Sequence, residues 1–141
     1  MKKQFLLVGT IFLFIVSFLA CKKQDEDTKP LRSKMLGKWQ VNKIEVTTAV
    51  AGGTSSTVST TYSPADYIDF KDNEADDFEL GLGNNRMVGS FKTTIDDIFF
   101  LDFSSKDLDC KVSTITDNQF QFTGTVVGSS PKVTETYYLS R

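Results

Sequence analysis

The chain contains no histidine. That absence removes the commonest general base and the commonest ligand of catalytic zinc. It also excludes Ser–His and Cys–His nucleophile pairs outright. Paired carboxylates could still support catalysis, but no recognisable nucleophile motif accompanies them, and the chain reads as a non-enzyme that needs no cofactor. Cysteine is almost as scarce, with only Cys21 and Cys110. Neither sign of charge dominates: 16 Lys and Arg face 18 Asp and Glu, for a net charge of −2. Beyond residue 34 the basic residues are scattered singly, so a nucleic-acid partner has no electrostatic footprint. From Lys38 onward, no stretch longer than two turns carries helical spacing.

What is present begins with an address. Met1-Lys2-Lys3 is followed by an uncharged apolar run of 16 residues, Phe5 to Ala20. That run is short of the roughly 20 residues that a membrane-spanning helix needs. A basic start, an apolar centre and a small residue before a cut site are the pattern of a secretory signal. Phe18-Leu19-Ala20-Cys21 resembles the lipobox, with Phe18 where that motif usually has leucine. The resemblance implies cleavage after Ala20 and lipid attachment at Cys21, so the membrane is a partner through the N-terminal lipid. Residues 22–30, Lys-Lys-Gln-Asp-Glu-Asp-Thr-Lys-Pro, hold no apolar side chain and suit a flexible tether. Lys22 stands where an inner-membrane retention aspartate would be. Lys23 and the acidic residues after it read equally as a surface-export signal or a soluble spacer. The expected place is the outer membrane, with either the cell-surface or the inner face open to it.

The expected organisation is a signal peptide at 1–20, a lipid-anchored tether at 21–34 and one β domain at 35–141. Loss of the signal takes Lys2 and Lys3 with it and shifts the net charge from −2 to −4. With Cys21 acylated, Cys110 has no disulfide partner. It shares strand parity with Leu108 and Val112, and reads as a small core residue.

The remainder alternates with period two between clusters of Gly, Asn and Asp, which is the strand signature. Eight such runs fall at 38–48, 66–71, 76–82, 86–94, 98–103, 108–116, 119–127 and 132–140. In the first run Trp39 and Val41 have one parity, and Ile44 and Val46 the other. Only a bulge or bend near Asn42 lets all four face one core. Residues 49–61 are small and polar and are expected as a mobile loop. Run 98–103 is apolar on both parities until Asp102, so it is either buried on both faces or lines a partner surface. Eight sequential strands with short turns predict an all-β, eight-stranded antiparallel up-and-down barrel, with a two-sheet sandwich as the competitor.

Leu36-Gly37-Lys38-Trp39, after a short helical turn at 31–36, resembles the Gly-x-Trp motif that opens lipocalins. It is closer to the lipocalin-like domains of bacterial lipoproteins, where it follows a lipobox and tether. The resemblance covers about residues 31–141. It implies that Trp39 closes the barrel floor and that Arg141 packs on its indole. The C-terminal helix of classical lipocalins has no counterpart in this chain, which weakens the analogy to hydrophobic-ligand transport.

If the barrel is hollow, Phe91, Phe122 and Tyr137 are the inward residues that would line a pocket. Their bland alternative is simply to fill a small barrel. Glu135, between inward Val133 and Tyr137, must be hydrogen-bonded, paired or at a wet mouth. Asp72 to Asp77 concentrates carboxylates in a turn but lacks the alternating ligands and central glycine of an EF-hand, and no metal site is assigned. Two functions follow. One is a binding module holding a small apolar or amphipathic ligand in the lumen. The other is an interaction lipoprotein with a filled barrel, presenting the 49–61 loop or the 98–103 face to a protein or glycan. A lumen tightly filled by its inward aromatics is incompatible with the carrier.

Overall fold

The computed structural model describes residues 29–50 and 52–141. The expected signal peptide, the acylation site Cys21 and tether residues 21–28 lie outside the described residues. The chain enters through a one-turn helix α1 (Leu31–Met35) and continues as nine strands. These are β1 (Gly37–Ala49), β2 (Ser56–Thr61), β3 (Tyr67–Phe70), β4 (Asp77–Leu82) and β5 (Asn85–Thr93), then β6 (Ile98–Phe103), β7 (Asp107–Ile115), β8 (Gln119–Val126) and β9 (Lys132–Ser140). From β3 to β9 each strand pairs antiparallel with the next. β9 returns to β1, with Gln40 opposite Ser140 and Ala49 opposite Lys132, while β1 also borders β3. The result is a closed eight-stranded antiparallel barrel, compatible with a lipocalin-like fold.

The parity conflict in the first run is resolved as its side chains require. The register between β1 and β9 shifts between Val41 and Lys43, which leaves Asn42 as an extra residue. That bulge turns the strand by one position, so Trp39, Val41 and Ile44 are all buried and Val46 packs against them. A second shift, between Val112 and Thr114, bends β7 against β8. Gly37 sits at φ +99°, where a side chain is strained, and an added Cβ would lie 3.4 Å from the Arg141 guanidinium. The glycine of Gly-x-Trp therefore has a physical reason of its own.

One expectation is corrected and an open alternative is narrowed. Residues 49–61 are not all loop, because Ser56–Thr61 forms β2, a ninth strand paired with Lys43–Thr48 of β1. All six of its residues are exposed. Thr and Val favour the extended backbone, and the ladder to β1 holds the strand without burying either face. Run 98–103 is not buried on both faces. Phe99, Leu101 and Phe103 point inward, while Ile98 and Phe100 are about 40% exposed on the outer wall.

Candidate functional site

The barrel has two unlike ends. At the floor lie α1, Trp39 and Arg141. At the mouth lie the turns joining β1 to β2, β4 to β5, β6 to β7 and β8 to β9.

Trp39 is fully buried, and its indole N–H donates to Met35 O at 2.7 Å, which ties the floor to α1. The Arg141 guanidinium carbon lies 3.8 Å from the Trp39 ring centroid. Its nitrogens donate to Asp117 O (2.9 Å), Leu36 O (2.9 Å) and Lys34 O (3.3 Å). One planar cation thus stacks on the indole and joins three carbonyls, from α1, the residue that caps it and the β7–β8 turn. The acidic turn between β3 and β4 is engaged from the same end. Arg32 of α1 pairs with Asp76 at 2.7 Å and Asp72 at 3.1 Å.

Above the floor the lumen is filled by rings. Phe122 stacks on Tyr137 with centroids 4.7 Å apart and planes 10° apart. Phe99 meets Phe122 edge-on at 5.0 Å, and Phe120 lies 5.1 Å from Phe122 and 5.4 Å from Trp39. Phe91 stands apart from this group, set edge-on against Phe70 at 5.2 Å and reaching Phe122 only through Phe70 and Phe120. Phe78 and Phe103 make another edge contact at 4.8 Å. Room for Phe78 comes from Gly89, where a Cβ would meet its ring at 2.8 Å and the Asp102 carbonyl oxygen at 2.1 Å. Phe91, Phe122 and Tyr137 are each at most 3% exposed. Cys110 is also buried, and burial pushes its thiol well above the ordinary range, which leaves it an inert part of the wall.

Glu135 occupies the mouth side of this column at 8% exposure. Its carboxylate accepts from the Tyr137 hydroxyl at 2.7 Å and from Lys106 Nζ. Lys106 also lies 5.5 Å from the Phe103 ring centroid. The buried carboxylate is therefore paired on one oxygen and hydrogen-bonded on the other, as its burial demands. Burial, and then the neighbouring Glu135 charge, pushes the Tyr137 phenol well above its ordinary value, so it stays a donor. Beside this cluster Asp66 braces the mouth. It accepts from Gly83 N, and from Ser63 N and Oγ, both at 2.7 Å. Those amide and hydroxyl donors, the Gly83 amide first, hold its carboxyl below the usual range.

No protein-family model matches the chain, and no curated protein matches it. The functional reading therefore rests on this geometry. Of the candidate residues, Phe122, Glu135 and Tyr137 come together, while Phe91 belongs to a neighbouring cluster. Lys106 and Arg32 were missed because they act on residues 29 to 44 positions away, and no local motif marks such pairs; Asp66 had a local signal in Ser63-Pro64-Ala65-Asp66, but its bond to Gly83, 17 residues on, had none. Concave surface lies outside the barrel wall. A recess of about 270 Å³ beside the Asn42 bulge is lined by Asn42, Gln119, Gln121 and Tyr138 among others. Another, of about 310 Å³, lies at the floor beside Lys34, Asn118 and Arg141.

Proposed function

We propose that this chain is a lipocalin-like outer-membrane lipoprotein, acylated at Cys21, whose filled barrel is a non-catalytic module that binds a protein or glycan partner. One observation carries this reading. The inward aromatics touch one another from Trp39 through Phe120 and Phe122 to Tyr137, where a carrier would need open space. A small apolar ligand would have to part rings that already satisfy each other's packing. Glu135, the polar group best placed to orient such a ligand, already has both its oxygens engaged. The reading places recognition on the outer wall and the mouth. Residues 29–36 join the barrel at its floor, so a membrane anchor on that side leaves the mouth and the β1–β2 hairpin facing outward.

The test is native mass spectrometry of the full chain, extracted from host membranes in detergent. The expected mass is that of a chain beginning at acylated Cys21, with no further small-molecule adduct. A reproducible extra mass that Phe122→Ala or Glu135→Gln abolishes would sink the filled-barrel reading. A mass still beginning at Met1 would sink the lipoprotein reading.

A further inference from the structure

Closing a barrel removes sheet edges, but the β1–β2 hairpin restores one. Among the described residues β1 has three neighbours and β3 to β9 have two each, whereas β2 is bonded to β1 alone. The register tells which of its groups are free. Tyr62 N–H donates to Asn42 O, and the ladder continues in the same phase with Thr60 opposite Ile44, Val58 opposite Val46 and Ser56 opposite Thr48. Residues two apart on a strand aim their amides the same way. Thr57, Ser59 and Thr61 therefore turn their N–H and C=O groups toward the open side.

Edges in native sheets are usually blunted by lysine, proline, a bulge or a covering loop. The segment Ser-Thr-Val-Ser-Thr-Thr of β2 carries no charge and no proline, and all of its residues are exposed. Its pairing with β1 runs unbroken from Lys43↔Thr61 to Thr48↔Ser56, without a bulge.

We propose that β2 is a self-association edge, through which two copies of this chain pair antiparallel about a twofold axis at Ser59. About that axis Ser59 faces its own copy, Thr57 faces Thr61 and Val58 faces Thr60, so all three outward-pointing residues find a match. No like charges meet, and an uncharged edge gives a charged segment nothing to recognise. The topology also sets the stoichiometry. Each copy has one free edge, so pairing uses up both and stops at a closed dimer rather than a fibre. A six-residue edge is roughly 20 Å long. It covers less surface than the roughly 1,200 Å² of a stable complex, so the dimer forms in a concentration-dependent way.

The experiment uses the full chain with its native processing, in mild detergent, followed by sedimentation velocity over a wide concentration range. Wild type should pass from monomer to dimer with no larger species. Ser59→Cys should cross-link into dimers with a short bis-maleimide, which adds to both thiols as thioethers, while Val88→Cys, exposed on β5, should not; Cys110 is buried and stays silent. Ser59→Lys sets two ammonium groups on the axis, and Ser59→Pro deletes a free N–H without touching the β1 ladder. Each should raise the dimer dissociation constant about tenfold or more, and Ser59→Lys should melt like wild type. A dimer indifferent to both substitutions overturns the proposal, as does a series of species beyond the dimer. A chain that stays monomeric across the whole concentration range overturns it too.

Discussion

Phe122→Ala is the substitution that best separates a filled barrel from a hollow one. The Phe122 side chain is fully buried and meets the rings of Phe99, Phe120 and Tyr137 within 5.1 Å. Losing its transfer free energy costs about 2–3 kcal/mol. The surrounding strands are locked by the ladder and cannot collapse into the gap. A residual cavity of roughly 80 Å³ adds about 2 kcal/mol at about 24 cal/mol per Å³. The expected loss is about 4 kcal/mol, a large part of the roughly 5–15 kcal/mol that holds a domain of this size. Urea unfolding followed by the fluorescence of buried Trp39 reads it directly. With a slope of about 2 kcal/mol per M, the midpoint falls by about 2 M. Phe100→Ala is the control, because that ring is 39% exposed on the outer wall, and it should cost less than about 1 kcal/mol. If Phe122→Ala cost no more than Phe100→Ala, the ring would have been facing water or loose space, and the filled-barrel reading would be wrong.

Arg141→Ala should cost about 1–2 kcal/mol, because it strips the indole of its cation and three carbonyls of their donor. Arg141→Lys should recover little of that loss in a thermal melt, since an ammonium cannot span the three acceptors. Glu135→Gln should destabilise by about 1–2 kcal/mol by leaving Lys106 without its carboxylate. A double-mutant cycle with Lys106→Met should then show coupling, and strict additivity would mean that the pair does not form in solution. Asp66 is held below its ordinary pKa by the Gly83 and Ser63 donors, Glu45 by Lys43 and Tyr138, and Glu79 by Arg86 and Tyr67. A depressed carboxylate contributes stability that is complete above its unfolded pKa of about 4 and is lost as the pH falls through the folded value. With no histidine to titrate, the unfolding free energy should be flat from about pH 5 to 8 and decline below about pH 4. Asp66→Asn should shallow that decline, and an unchanged acid limb would show that Asp66 is unperturbed.

Period-two alternation made most of the barrel legible, because each wall strand buries one face and exposes the other. Phe120, Phe122 and Gly124 of β8 point inward as their spacing predicts. The parity clash within 39–46 located the Asn42 bulge from sequence alone. β2 was missed for a physical reason. It buries nothing, so hydrophobic periodicity has no signal there, and only a backbone ladder reveals it. At the mouth, the burial of Glu135 could be read from its neighbours on the strand. Its partner Lys106 could not, because a Ser-Ser-Lys turn 29 residues away looks like any solvated turn. The Asp72–Asp77 turn hid its partner in the same way: two of its carboxylates are held by an arginine of α1, 40 and 44 residues earlier.

The Arg141 clamp and the β1–β9 seam also set an order of events. Arg141 grips Leu36 and Lys34, 105 and 107 residues upstream, and β9 pairs with β1 from Gln40 to Ala49. The hairpins from β3 to β8 can zip locally, but the first strand must wait for the ninth before the ring can shut. Loop closure over that span is the slow step, so folding in the millisecond-to-second range of non-local β topologies is expected rather than microseconds. Until the seam forms, β1 and β9 each present a bare edge, and a chain halted before residue 132 keeps β1 unpaired there. Such a chain is a target for aggregation or proteolysis, and the floor arginine is therefore the last piece to lock a structure whose first strand is made long before it.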